Sequence, residues 1–95
     1  MNYDITVREA VSLPDAVYRV AVVSRDDGEV VSEHTVRVEE INLDSLGWKP
    51  EDVLELVRTS VQFLLEREAP QAILKEFNLR TITKYFPDYP EVVGR

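Results

Sequence analysis

"VYRVAVVSRDDGEVVSEHTVRVEE", residues 17–40, decides the fold, because two apolar runs of alternating period flank a short polar turn. Tyr18, Val20 and Val22 share one face at the two-residue period of a strand. Val17, Ala21 and Val23 make the opposite face apolar too, which predicts a central strand. "RDDG" (25–28) closes a hairpin, with Gly28 free to take the positive φ such a turn demands. The return strand places Val30, Ser32, His34, Val36 and Val38 on one face, and Val31, Glu33, Thr35, Arg37 and Glu39 on a wet one. Toward the N-terminus, Tyr3, Ile5 and Val7 alternate with Asn2, Asp4, Thr6 and Arg8, and "SLPDA" (12–16) is a loop signal. Residues 1–40 therefore read as a three-stranded antiparallel β-meander with one covered face.

Beyond residue 40 the period changes. "INLDSLGWKP" (41–50) reads as a connector ending in Pro50, a residue suited to the first position of a helix. Glu51 and Asp52 follow where carboxylates favour the positive end of the helix dipole. Val53, Leu54, Val57, Val61, Leu64 and Leu65 form an apolar stripe, opposed by Glu51, Glu55, Arg58, Gln62 and Glu66, so a long helix is expected over 50–68. It must stop by Ala69, ahead of Pro70. Residues 70–86 then read as two short helices, the first turning Ile73, Leu74 and Phe77 inward and ending at Asn78 as a left-handed cap. The second carries Ile82, Tyr85 and Phe86, and residues 87–95 are expected as a frayed or draped tail. The chain is thus expected as a single α+β domain over 1–95, with one long and two short C-terminal helices packed on one sheet face.

With 95 residues, 44% of them hydrophobic, the chain can fold without staples, and zero cysteines exclude disulfides, thiolate catalysis and thiolate metal sites. "MNYDITVREAV" has neither a basic nor an apolar leader region, and no apolar run approaches the length of a membrane span. A cytoplasmic setting is the expectation. Eighteen acidic against eleven basic side chains give a net charge of −7, whose field repels phosphate backbones and anionic lipid. Lys and Arg are scattered singly among acids, so neither nucleic acid nor a membrane is the expected partner.

Candidate chemistry is sparse. His34 is the sole histidine, so any nucleophile–base arrangement has one way to form, and its place on a valine face makes a structural role the expectation. No histidine pair or calcium-loop spacing is present to hold a metal. The acid pairs Asp26/Asp27, Glu39/Glu40, Glu51/Asp52 and Glu66/Glu68 read as solvating groups, since a general acid needs a burial that adjacent exposed carboxyls lack. Three glycines are too few for a phosphate-cradling loop, and no cofactor is expected.

"FLLERE" (63–68), an Ala-Pro, then "IL", "F", "L", "I" and "YFP" up to residue 87, behind a "YRVAVV" strand, resembles a group of small uncharacterised bacterial proteins. The resemblance implies a compact α+β domain and a bacterial cytoplasm, and brings no activity, cofactor or catalytic residue. The remaining function class is interaction. Trp48, Tyr85, Phe86 and Tyr89 are more large aromatics than a short helix and tail bury easily, and exposed aromatics gather at interfaces. Arg67, between Glu66 and Glu68, either pins the helix junction or meets a partner's carboxylate. These five residues are the candidate partner-binding set of a non-catalytic interaction or regulatory module. Its partner is expected to be another protein or, through the open sheet edges, a second copy as a homodimer. Two alternatives stand beside it: an antitoxin-like or DNA-binding regulator using 70–86, where "ILKEFNLRTITKYF" has a helix-turn-helix cast, and a small enzyme organised around His34.

Overall fold

The computed structural model describes residues 2–95. Strands β1 (Tyr3–Val11), β2 (Asp15–Ser24) and β3 (Val30–Glu39) form the expected antiparallel meander with β2 in the centre. Gly28 sits at φ 75° in the hairpin turn, where its N–H returns to the Ser24 carbonyl at 2.9 Å. Ala16, Tyr18, Val20 and Val22 of β2 are buried with His34, Val36 and Val38 of β3, as the alternation requires. A bulge displaces Val30 from that set. Val22 faces Ser32 but Val23 faces Val30, so Val31 is the extra residue and Val30 turns to the open face. A second bulge between Glu9 and Val11 does the same at the end of β1 and leaves Val11 exposed.

The sheet has a fourth strand that the periodicity did not reveal. Residues 70–86 do not form two helices: Pro70–Ala72 make one tight 3₁₀ turn, Ile73 is extended at ψ 135°, and Glu76–Asn78 form β4. β4 lies parallel to β3, pairing Thr35, Val36 and Arg37 with Glu76, Phe77 and Asn78, which makes the sheet mixed rather than purely antiparallel. This short strand covers part of the β3 edge and buries Phe77, two gains that outweigh one more helical turn. Asn78 consequently is not a left-handed C-cap. Extended at φ −100° and ψ 146°, it is the N-cap of α3 (Leu79–Tyr85), accepting a hydrogen bond from the Arg80 N–H at 3.0 Å.

Two further helices replace expected irregular segments. Residues 41–46 of the expected connector instead belong to α1 (Glu40–Leu46), whose Asn42 side chain accepts from the Glu39 N–H at 2.8 Å. Gly47, at φ 75°, ends it as the Trp48 N–H returns to the Leu43 carbonyl at 2.9 Å. Any Cβ at Gly47 would collide with the Arg95 carbonyl, so glycine is required on both counts. At the other end, the expected tail contains α4 (Tyr89–Val93), with Pro90 in its first turn.

The long helix is present but shorter than the expected 50–68: a 3₁₀ turn over Pro50–Asp52 runs into α2 (Val53–Leu65), and residues 66–68 turn out of the helix ahead of Pro70. Its buried stripe is rotated from the one read in the sequence, because it meets neighbours on two sides. Leu56, Ser60 and Phe63 are buried beside Val53, Val57, Val61 and Leu64, whereas Leu54 is exposed and Leu65 half-buried. Tyr89 and Phe86 account for the rotation: both rings meet Phe63 edge-on, with centroids at 5.2 Å and 5.8 Å. The helices thus lie on one face of the sheet around a single core cluster, and the opposite face is open. No helix among the described residues is long and apolar enough to cross a membrane.

Candidate functional site

The five candidate partner-binding residues part company in the fold. Tyr89 is 1% exposed, and its hydroxyl lies 2.6 Å from Ser60 Oγ. The Ser60 hydroxyl donates to the Leu56 carbonyl at 2.8 Å, so Tyr89 is the donor in the pair. Burial pushes the Tyr89 hydroxyl up to about 12 from an ordinary 10, opposed in part by Ser60 when its hydrogen turns toward the phenol oxygen. Trp48 is 5% exposed, its indole N–H donates to the Val93 carbonyl at 2.8 Å, and the Arg95 guanidinium covers its ring at 3.6 Å. Both side chains are therefore spent in closing the C-terminal segment onto the core. Arg67 pins the helix junction, but through Asp88 rather than its neighbouring glutamates. It pairs with Asp88 at 3.1 Å, donates to the Phe63 carbonyl at 3.1 Å and stacks on the Phe63 ring at 3.6 Å.

Tyr85 and Phe86 remain. Phe86 is half-buried against the core, and Tyr85 is 67% exposed. Both line an apolar cleft of about 250 Å³ between the end of α2, β4 and α3. Leu64, Ile73, Phe77 and Ile82 form its floor, and Leu74, 52% exposed, stands on the rim with Glu68 and Thr81 as polar neighbours. Leu74 joins the set because the chain leaves the Pro70 turn extended on its way to β4: Ile73 turns inward and Leu74 outward, where a helix was expected to bury both. No local signal in the sequence separates the two, because Ile73 and Leu74 are adjacent aliphatics and only the backbone conformation decides which one turns outward.

His34 holds that rim in place. Buried to 4% exposure, it donates from Nδ1 to the Leu74 carbonyl at 2.7 Å, which leaves Nε2 to accept from the Ser32 hydroxyl at 2.8 Å. Its ring meets Phe77 edge-on at 6.5 Å. Both nitrogens are thus committed to structural partners on the edge where β4 docks. Among the described residues no group of three or more His, Asp or Glu side chains converges to hold a metal ion.

Residues 70–86 also lack the helix pair that a DNA-reading segment would need. Arg80 of α3 approaches Glu39 at 3.3 Å, and Glu39 also accepts from Asn78 at 3.0 Å. Two arginines do meet elsewhere, brought together by strand register although they lie apart in the chain. The strand register sets Arg8 directly opposite Arg19, then Thr35 and Glu76, in one row across the open sheet face. Arg19 donates to Thr35 Oγ1 at 2.6 Å, and Arg37 reaches Glu76 at 3.0 Å. The row crosses a shallow concavity of about 860 Å³. Compared with protein families, with curated proteins and with solved structures, the chain matches none.

Proposed function

We propose that this chain is a non-catalytic protein-interaction module that docks a partner segment in the cleft between α2, β4 and α3. The observation that carries this reading is the pairing of Leu74 and Tyr85 on one apolar concavity, whereas Val11, Val30, Ile41, Leu54 and Val92 are exposed outside it. Tyrosine is among the residues enriched in the energetic anchors of interfaces, and Leu74 extends the apolar surface beside it. The cleft is below the roughly 300 Å³ typical of small-molecule pockets, and it fits one or two apolar side chains of a protein segment. Glu68 on the rim and a net charge of −7 favour a segment with Lys or Arg beside its apolar anchor.

Selection of peptides against the purified protein, followed by calorimetry on the selected sequences, tests the reading. Selected peptides are expected to carry an apolar residue next to a basic one. Tyr85→Ala and Leu74→Ser are each expected to weaken them by about tenfold or more, at unchanged circular dichroism, because both side chains are exposed. Peptides that bind equally well to both variants, or a selection that yields none, would sink it.

A further inference from the structure

We infer that two copies of this chain pair through their β1 strands, antiparallel, with Thr6 on the two-fold axis. This goes beyond the cleft, which lies elsewhere in the fold. β4 covers part of the β3 edge, but β1, nine residues long, is an uncovered edge of the sheet. The Arg25 N–H donates to the Asn2 carbonyl at 3.0 Å. Backbone groups of an antiparallel strand alternate sides, so Asn2, Asp4, Thr6 and Arg8 bond inward to β2. Tyr3, Ile5, Val7 and Glu9 consequently offer their N–H and C=O groups outward.

The side chains select the register. With Thr6 opposite Thr6, Ile5 meets Val7 of the second copy, and Asp4, whose Oδ1 also accepts from Arg25 of its own chain at 2.8 Å, meets Arg8, twice by symmetry. The Asp4–Arg8 and Thr6–Thr6 contacts are non-hydrogen-bonded pairs, in which side chains approach most closely. Sliding by one pairing step sets Arg8 against Thr6 or Asn2 and forfeits both ion pairs. Arg8 needs such a partner: it stands directly opposite Arg19, a repulsive pairing, and among the described residues none of the ion pairs includes it.

The layer above points the same way. α2 is the helix that packs on β1, and its Leu56–Ser60–Phe63 flank is taken by Tyr89 and Phe86. At about 100° per residue, Leu54, Arg58 and Leu65 fall on the opposite flank. There Leu54 is exposed, and Arg58 Nε is buried with no hydrogen-bond partner among the described residues. A two-fold axis normal to the joined sheet puts both α2 helices on the same side and brings these flanks toward each other.

Analytical ultracentrifugation of the full chain tests the inference. The wild type is expected at twice the chain mass. Arg8→Asp and Asp4→Arg each set like charges opposite one another and should weaken the dimer by about tenfold or more, with circular dichroism unchanged. An equimolar mixture of the two variants restores both ion pairs and should recover the dimer as a heterodimer, a result that no other register predicts. A wild type monomeric up to about millimolar concentration, a dimer that both reversals leave intact, or a mixture that stays monomeric would each overturn it.

Discussion

Tyr89 carries a hydroxyl into the interior and keeps it satisfied by donating to Ser60, so its proton is bound more tightly in the folded chain than in the unfolded one. Below pH 10 both states hold the proton and the contribution to stability is complete. Between pH 10 and about 12 the unfolded state loses it first, so stability falls as pH rises through that window. Tyr18, raised by burial and by the Glu9 carboxylate, acts in the same direction. The slope per group cannot exceed ~1.4 kcal/mol per pH unit. Tyr89→Phe is expected to cost about 1 kcal/mol at neutral pH through the lost hydrogen bond. It should also flatten part of the alkaline limb, read as urea midpoints across pH. An unchanged limb would assign the alkaline loss to other groups.

β4 is three residues long and stays in the sheet through a few specific ties. Besides its pairing with β3, Thr35 N–H donates to the Lys75 carbonyl at 2.7 Å, and His34 donates to the Leu74 carbonyl. His34→Ala removes that tie, opens a cavity beside Phe77 and leaves a carbonyl unpaired. We expect a loss of about 2–3 kcal/mol. Hydrogen exchange should show the loss concentrated at residues 74–78, with β1 and β2 retaining their protection. Uniform loss of protection would mean that His34 serves the core generally and not the β4 edge. Of the elements, the meander and α2 were legible because their apolar periods run over many residues. α1 was legible in principle, since Leu43 and Leu46 sit a turn apart before Gly47. β4 was not, since a three-residue strand has no period and its partner lies some forty positions earlier. Asn78 shows the ambiguity at its sharpest, because the same side chain suits a left-handed C-cap and an extended N-cap. Pairing with Arg37 puts it in extended backbone and so selects the second role.

Across the whole molecule, the C-terminal segment closes the core. Tyr89 and Val93 insert beside α2, the Val93 carbonyl receives the Trp48 indole N–H, and the Arg95 N–H bonds the Leu46 carbonyl at 2.8 Å. Deleting residues 88–95 strips an aromatic side chain from the interior and exposes Phe63 and Trp48. The expected cost is about 3–5 kcal/mol, a large share of what a domain of this size possesses, read as a lower urea midpoint. A midpoint within error of the full chain would show that α4 is dispensable. What the sequence determined by itself is the antiparallel meander, the start of the long helix at Pro50, and an acidic surface charge, because each follows from local period, local backbone chemistry or a simple sum. What only the tertiary structure decided is which aromatics remain at the surface. Trp48, Tyr89 and Tyr85 are alike in composition, but α4 folds back on α2 and buries the first two, while α3 leaves Tyr85 on the rim of a cleft. It also decided that Arg8 and Arg19, eleven positions apart, stand opposite each other, because strand register joins residues that the chain itself keeps separate.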